Sequence, residues 1–157
     1  MRIALVSLDQ KWLDKKGNFA ECKYNTEKAS NAGCDLVIFP EMTLTGFAPG
    51  TNSIVENMSS SQTLEWFEEL AEQYSIHIIF GACLKADDED RPFNMLCLAN
   101  HGGHVTPLYA KTHLFSYAHE DHYLKAGERV VTHKIGDINF GLSVCYDLRF
   151  PELFSIM

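Results

Sequence analysis

The stretch LSVCYDLRFPE, Leu142 to Glu152, places a thiol between an apolar run and a charged turn. Phe140, Leu142 and Val144 alternate with Gly141 and Ser143, the period-two pattern of a strand with one face buried, and β-branched Val144 favours extension. Cys145 then falls at the end of that strand. Asp147 reads as an N-cap, Arg149 and Phe150 as a first helical turn, and Pro151 as an early helical position that needs no backbone N–H. On this reading a helix starts just after the sulfur, and its N-terminal partial positive charge favours the thiolate, the nucleophilic form. The competing reading is a cysteine that packs as a small hydrophobe.

Upstream, strands and helices alternate. The pattern predicts a strand over 2–8, a helix over 18–32 stopped by Gly33, and a continuous apolar strand over 35–39 that Pro40 ends. A serine-capped helix over 61–74 follows, with Leu64, Phe67, Leu70 and Ala71 at helical spacing, and then the apolar strand IHIIFGACL. Strands over 94–99 and 104–110 flank the turn NHGG as a hairpin. A long loop rich in histidine and aromatics leads to a strand over 130–135 and, across Gly136-Asp137, to the cysteine strand. The β-α-β-α-β order predicts an α/β fold with parallel strands, whose ends gather at one rim where ligands bind. Glu41, Lys111 and Cys145 each follow a strand and so become candidates to meet there. Their chemistry is complementary: a carboxylate to move the thiol's proton, an ammonium to stabilise an oxyanion, and a sulfur nucleophile.

The 157 residues suffice for one domain core, and a formal charge of −8 without a Lys/Arg cluster argues against nucleic acid or an anionic membrane as partner. A small-molecule ligand is expected instead. The N-terminal apolar run is too short for a signal peptide or a membrane span. Five widely spaced cysteines without a CxxC suggest neither a disulfide framework nor a zinc knuckle, and a reducing, cytoplasmic setting fits them. PELFSIM is an apolar helical start with no stop signal, which reads as an element continued in a larger domain.

The blocks FPEMTLTGF, YAKTHLF and LSVCYDLRFPE, in this order, resemble the three signatures of the nitrilase (carbon-nitrogen hydrolase) superfamily. The resemblance implies Glu41 as general base, Lys111 as the oxyanion-stabilising cation and Cys145 as nucleophile, with Glu120 in the loop after the lysine as a second, supporting glutamate. It implies an αββα sandwich, a homodimer formed through the helix after Cys145, and no metal or organic cofactor. Because the family's domains are longer, it also implies that residues 1–157 are the N-terminal part of a single domain, cut after the helix following the nucleophile. HLFSYAHEDHYLKAGE and CYDLRFPE look most like the omega-amidase type, which hydrolyses amides of dicarboxylic keto acids. Phe47 and Phe115 are candidates to line the substrate pocket, and Arg149 to meet a substrate carboxylate in bidentate fashion.

Three other readings compete. His113, His119, His122, Glu120 and Asp121 offer metal-ligating side chains in one loop, although no HExxH or paired CxxC accompanies them. A non-catalytic module of the same fold would use the strand-end rim as a ligand or partner surface. A Cys–His hydrolase would need His113 or His133 against the thiol in place of Glu41.

Overall fold

The computed structural model describes residues 1–157. A six-stranded sheet runs in the order β1 (Ile3–Leu5), β2 (Leu36–Ile38), β4 (His77–Lys85), β5 (Phe93–Ala99), β6 (Val105–Ala110), and the short β3 (Glu56–Asn57) extends β4 beyond β2. The pairs joining β1, β2, β3 and β4 are parallel, whereas β4–β5 and β5–β6 are antiparallel. β4 is the spine. Its alternate residues Ile78, Phe80, Ala82 and Leu84 meet the helices, while Ile79 and Cys83 belong to clusters on the opposite face.

Helices α1 (Lys15–Asn31) and α2 (Gln62–Tyr74) form one covering layer. In α2 the stripe Thr63, Phe67, Leu70 and Ala71 is buried, and the Phe67 ring stacks on Phe80 at 3.9 Å between centroids. Full burial of each such ring contributes about 1.5–3 kcal/mol. Ser61 caps α2 by accepting from the Leu64 N–H at 3.2 Å, as its sequence indicated. α1 starts earlier than predicted, with Asp14 accepting from the Gly17 N–H, because its buried stripe of Asn18, Cys22, Thr26 and Ala29 is mostly small or polar. A hydrophobic pattern does not reveal such a face. Asn18 is fully buried because its amide spans Lys11 and the Leu44 carbonyl.

On the opposite face lies a two-stranded sheet, β7 (Thr132–Ile135) paired antiparallel with β8 (Ile138–Gly141). Ile135 packs there with Leu36, Ile79 and Leu98, and Leu142 and Val144 pack on Tyr109. The architecture is therefore α/β, with a helix layer, a large sheet and a second sheet facing it. β1 is shorter than the predicted 2–8 strand because it lies at the sheet edge with a three-residue partner, leaving Leu5 78% exposed.

The segment around the cysteine departs from its sequence reading. β8 ends at Gly141, and residues beyond it stay extended, with the Leu142 N–H on the Val131 carbonyl. A 3₁₀ turn occupies Cys145–Arg149, and α4 (Pro151–Ile156) begins only at Pro151. Pro151 takes the first helical position as expected, but Asp147 does not cap α4. Its carboxylate accepts instead from the Val144 N–H at 2.9 Å. The helix terminus invoked to activate the thiol thus lies six residues away, and the charges beside the sulfur come from side chains. No helix is long and apolar enough to cross a membrane.

Candidate active site

Glu41 sits in the turn that Pro40 forces at the end of β2. Gln10 holds this turn by donating its amide Nε2 to three carbonyls, those of Glu41 (3.1 Å), Met42 (2.9 Å) and Thr43 (3.1 Å). Thr43 adds a reciprocal pair with Gly81 of β4: its N–H donates to the Gly81 carbonyl at 2.9 Å, and its hydroxyl accepts from the Gly81 N–H at 2.9 Å. Only glycine allows this approach, because a Cβ at position 81 would lie 2.5 Å from the Met42 nitrogen.

Lys111 leaves the end of β6 with its N–H on the Asn94 carbonyl and its own carbonyl accepting from the Gly127 N–H, both at 2.9 Å. Its side chain is fully buried, and the Nζ donates to Glu41 Oε1 at 2.8 Å and to Glu120 Oε2 at 2.9 Å. The Phe47 ring lies 5.2 Å from that ammonium. Glu120, also fully buried, opens the short helix α3 (Glu120–Tyr123) and accepts from the Phe115 N–H at 2.6 Å. Burial alone would lower the Lys111 pKa, but the Glu41 and Glu120 carboxylates outweigh it and hold the ammonium above its ordinary value.

Sequence reasoning missed Asn94. Its Nδ2 donates to Glu41 Oε1 at 2.7 Å and to Glu120 Oε1 at 2.8 Å, so that, like Lys111, it ties both carboxylates together. The available signal was a single amide inside the apolar strand FNMLCLA, where a buried polar side chain demands partners.

Cys145 lies beside this group at the mouth of a cavity of about 130 Å³ lined by Ile38, Glu41, Ile79, Leu96 and Val144. Its backbone is left-handed, at φ 49°, and its side chain is exposed. Burial and the Glu41 carboxylate push its thiol pKa up, and Lys111 pulls the other way. The expectation of an easily ionised thiol is therefore corrected: with two carboxylates around one ammonium, its neighbourhood carries net negative charge. A thiol so placed is not poised as a free thiolate.

The remaining candidates divide. Phe115 tilts against Tyr146, the residue after the cysteine, with centroids 5.0 Å apart. Arg149 is exposed, without an ion pair or hydrogen bond to another side chain, and does not join the cluster. The five loop ligands do not converge on a metal position. Glu120 is taken up by Lys111, His113 donates to Asp147 at 2.8 Å, the His119 and His122 rings lie 5.0 Å apart, and Asp121 is exposed. His133 lies in β7 opposite Phe140.

Several known proteins resemble this chain in sequence and fold. The 2-oxoglutaramate amidase of Bacillus subtilis is 25% identical over 150 residues, covering 96% of this chain and 57% of that protein. The omega-amidase NIT3 of Saccharomyces cerevisiae is 26% identical over 167 residues, covering 98% of this chain and 57% of that protein. The chain thus spans little more than half the length of these relatives. Among solved structures, XC1258 of Xanthomonas campestris, described as a CN-hydrolase superfamily protein with an arsenic adduct in its active site, superposes with a TM-score of 0.86. It is 30% identical, and the match covers 97% of this chain and 56% of that one. Residues 2–157 match the carbon-nitrogen hydrolase family, and the chain, with its mixed sheet and facing second sheet, belongs to that family.

Proposed function

We propose that this chain carries the reactive residues of an amidase that cleaves a small linear amide through a thioester on Cys145. The observation that supports this most is the buried Lys111 ammonium held between Glu41 and Glu120 beside an exposed thiol. In this reading Glu41 accepts the thiol proton as the sulfur adds to the amide carbonyl. The oxyanion meets the Lys111 ammonium and the first N–H groups of the Cys145–Arg149 turn, which have no partner within that turn. Glu41 returns the proton to the leaving ammonia or amine, and the C–N bond breaks to leave the thioester. It then takes a proton from water, whose oxygen attacks the thioester carbonyl, and the thiol leaves with that proton. Glu120 keeps Lys111 charged and aimed, a supporting role. Phe47, 5.2 Å from the Lys111 ammonium, and Phe115, against Tyr146, would border the bound substrate.

The amidase and omega-amidase activities named for the relatives support an ω-amide of a dicarboxylic or keto acid as substrate. Phe154 and Ile156 of α4, 41% and 71% exposed, support pairing of two copies through that helix. Five free cysteines are in keeping with a reducing, cytoplasmic compartment. The test is ammonia release from short ω-amides by the full-length protein. Turnover that survives chelation by EDTA and vanishes in Cys145→Ala supports the reading. Turnover retained by Cys145→Ala, or lost on chelation and restored by metal, overturns it.

A further inference from the structure

We propose that Asp147 is the positioning residue that sets the nucleophile turn against the strand end carrying Lys111. The inference rests on the reading of Cys145 as nucleophile. Asp147 is fully buried, yet it pairs with neither lysine nor arginine. Its carboxylate collects five contacts from two segments. Oδ1 accepts from the Thr112 hydroxyl (3.1 Å), the His113 N–H (2.9 Å) and the His113 ring Nδ1 (2.8 Å). Oδ2 accepts from the Tyr109 hydroxyl (2.7 Å) and the Val144 N–H (2.9 Å).

Tyr109, Thr112 and His113 flank Lys111 on both sides, whereas Val144 and Asp147 itself flank Cys145. One carboxylate therefore bridges the ammonium's backbone and the sulfur's backbone, which are otherwise remote in sequence. The bridge is stiff. His113 is stacked on Phe150 at 3.7 Å with an interplanar angle of 10°, and Tyr109 is 1% exposed.

The bridge also explains how Cys145 keeps a left-handed backbone that non-glycine residues avoid. The Asp147 N–H donates to the Val144 carbonyl at 3.1 Å while the Asp147 side chain accepts from the Val144 N–H, so both ends of the strained residue are closed into one loop. The residue type follows from the donor set. Five donors facing one side chain require a group that only accepts, and an ionised carboxylate is that group. Asparagine would turn an NH₂ toward two or three of those donors, keeping the shape and losing the bridge.

The test is alkylation of Cys145 by iodoacetamide across pH in full-length Asp147→Asn, with peptide mapping of all five cysteines. Released from its loop, the thiol moves away from Glu41 and toward solvent. Its alkylation midpoint should fall toward that of an ordinary thiol by about half a pH unit or more, while Cys22, Cys83 and Cys97 stay protected as evidence of an intact fold. A midpoint unchanged with the buried cysteines still protected overturns the proposal. If Asp147→Asn opens those cysteines, Tyr109→Phe decides, because it removes one donor of five: a smaller shift in the same direction supports the bridge, and no shift overturns it. Ammonia release by Cys145→Ala, measured separately, tests the nucleophile reading itself, and the alkylation profile does not depend on its outcome.

Discussion

Lys111→Met should destabilise the protein by a large fraction of its folding free energy. The Nζ is fully buried and lies 2.8 and 2.9 Å from two carboxylates that share the Asn94 amide. Methionine fills the volume but leaves Glu41 and Glu120 facing each other as uncompensated charges. Removing one partner of a buried ion pair costs about 3–5 kcal/mol, and because Glu41 retains 16% exposure, water relieves part of it, which places the loss near the lower figure. That is a large fraction of the roughly 5–15 kcal/mol available to a folded domain. Urea unfolding of full-length wild type and variant at about pH 7 measures it. A loss below about 1 kcal/mol would show that the buried triplet is not an electrostatic unit.

Three further outcomes are expected. Iodoacetamide should label Cys145 first and Cys34 next, with Cys22, Cys83 and Cys97 protected by burial, and Glu41→Gln should move the Cys145 midpoint to lower pH by removing the carboxylate that raises it; peptide mapping that finds Cys83 or Cys97 reacting first, or an unmoved midpoint, contradicts this. Glu56 is held at a pKa of about 2, because bonds from Lys15, Ser61 and Thr63 outweigh its burial. Its contribution is therefore present above the unfolded value of about 4.3 and lost as pH falls toward about 2, and Glu56→Gln should cost about 2–3 kcal/mol at about pH 7 but little near about pH 2, read from urea unfolding at each pH.

How far the sequence reached depended on the kind of force holding each part. Elements held by hydrophobic patterning were legible: α2 with its serine cap, β4, and the β5–β6 hairpin were found within a residue or two. Elements held by polar partners were not. α1 buries Asn18 and Thr26, and the turn at Cys145 is held by Asp147, so apolar periodicity misplaced the first by three residues and turned the second into a helix. The same divide runs through the site. Glu41 and Lys111 were drawn together with Cys145 by their strand-end positions, and Glu120 was added by resemblance, but no spacing rule could have announced Asn94 or Gln10. Both act through contacts spanning 26 to 53 residues of sequence, and only the fold displays those.

Asn94 of β5 and Lys111 directly after β6 reach the cluster from the sheet itself, whereas Glu41, Glu120 and Cys145 reach it from sharp turns in the chain. Five non-glycine residues have positive φ, and three of them mark such turns: Met42 directly after Glu41, His119 directly before Glu120, and Cys145 itself. Each position costs of order 1–3 kcal/mol and survives only where its surroundings leave no alternative. Those surroundings differ at each turn. Three carbonyls on the Gln10 amide hold the first, the Lys111, Asn94 and Phe115 donors hold Glu120 after the second, and the Asp147 loop closes the third. The strain is thus balanced by polar contacts local to each of these turns and separate from the apolar core. A substitution in these contacts should disturb the aim of one reactive group before it disturbs the fold, whereas a cavity made beneath β4 should do the reverse.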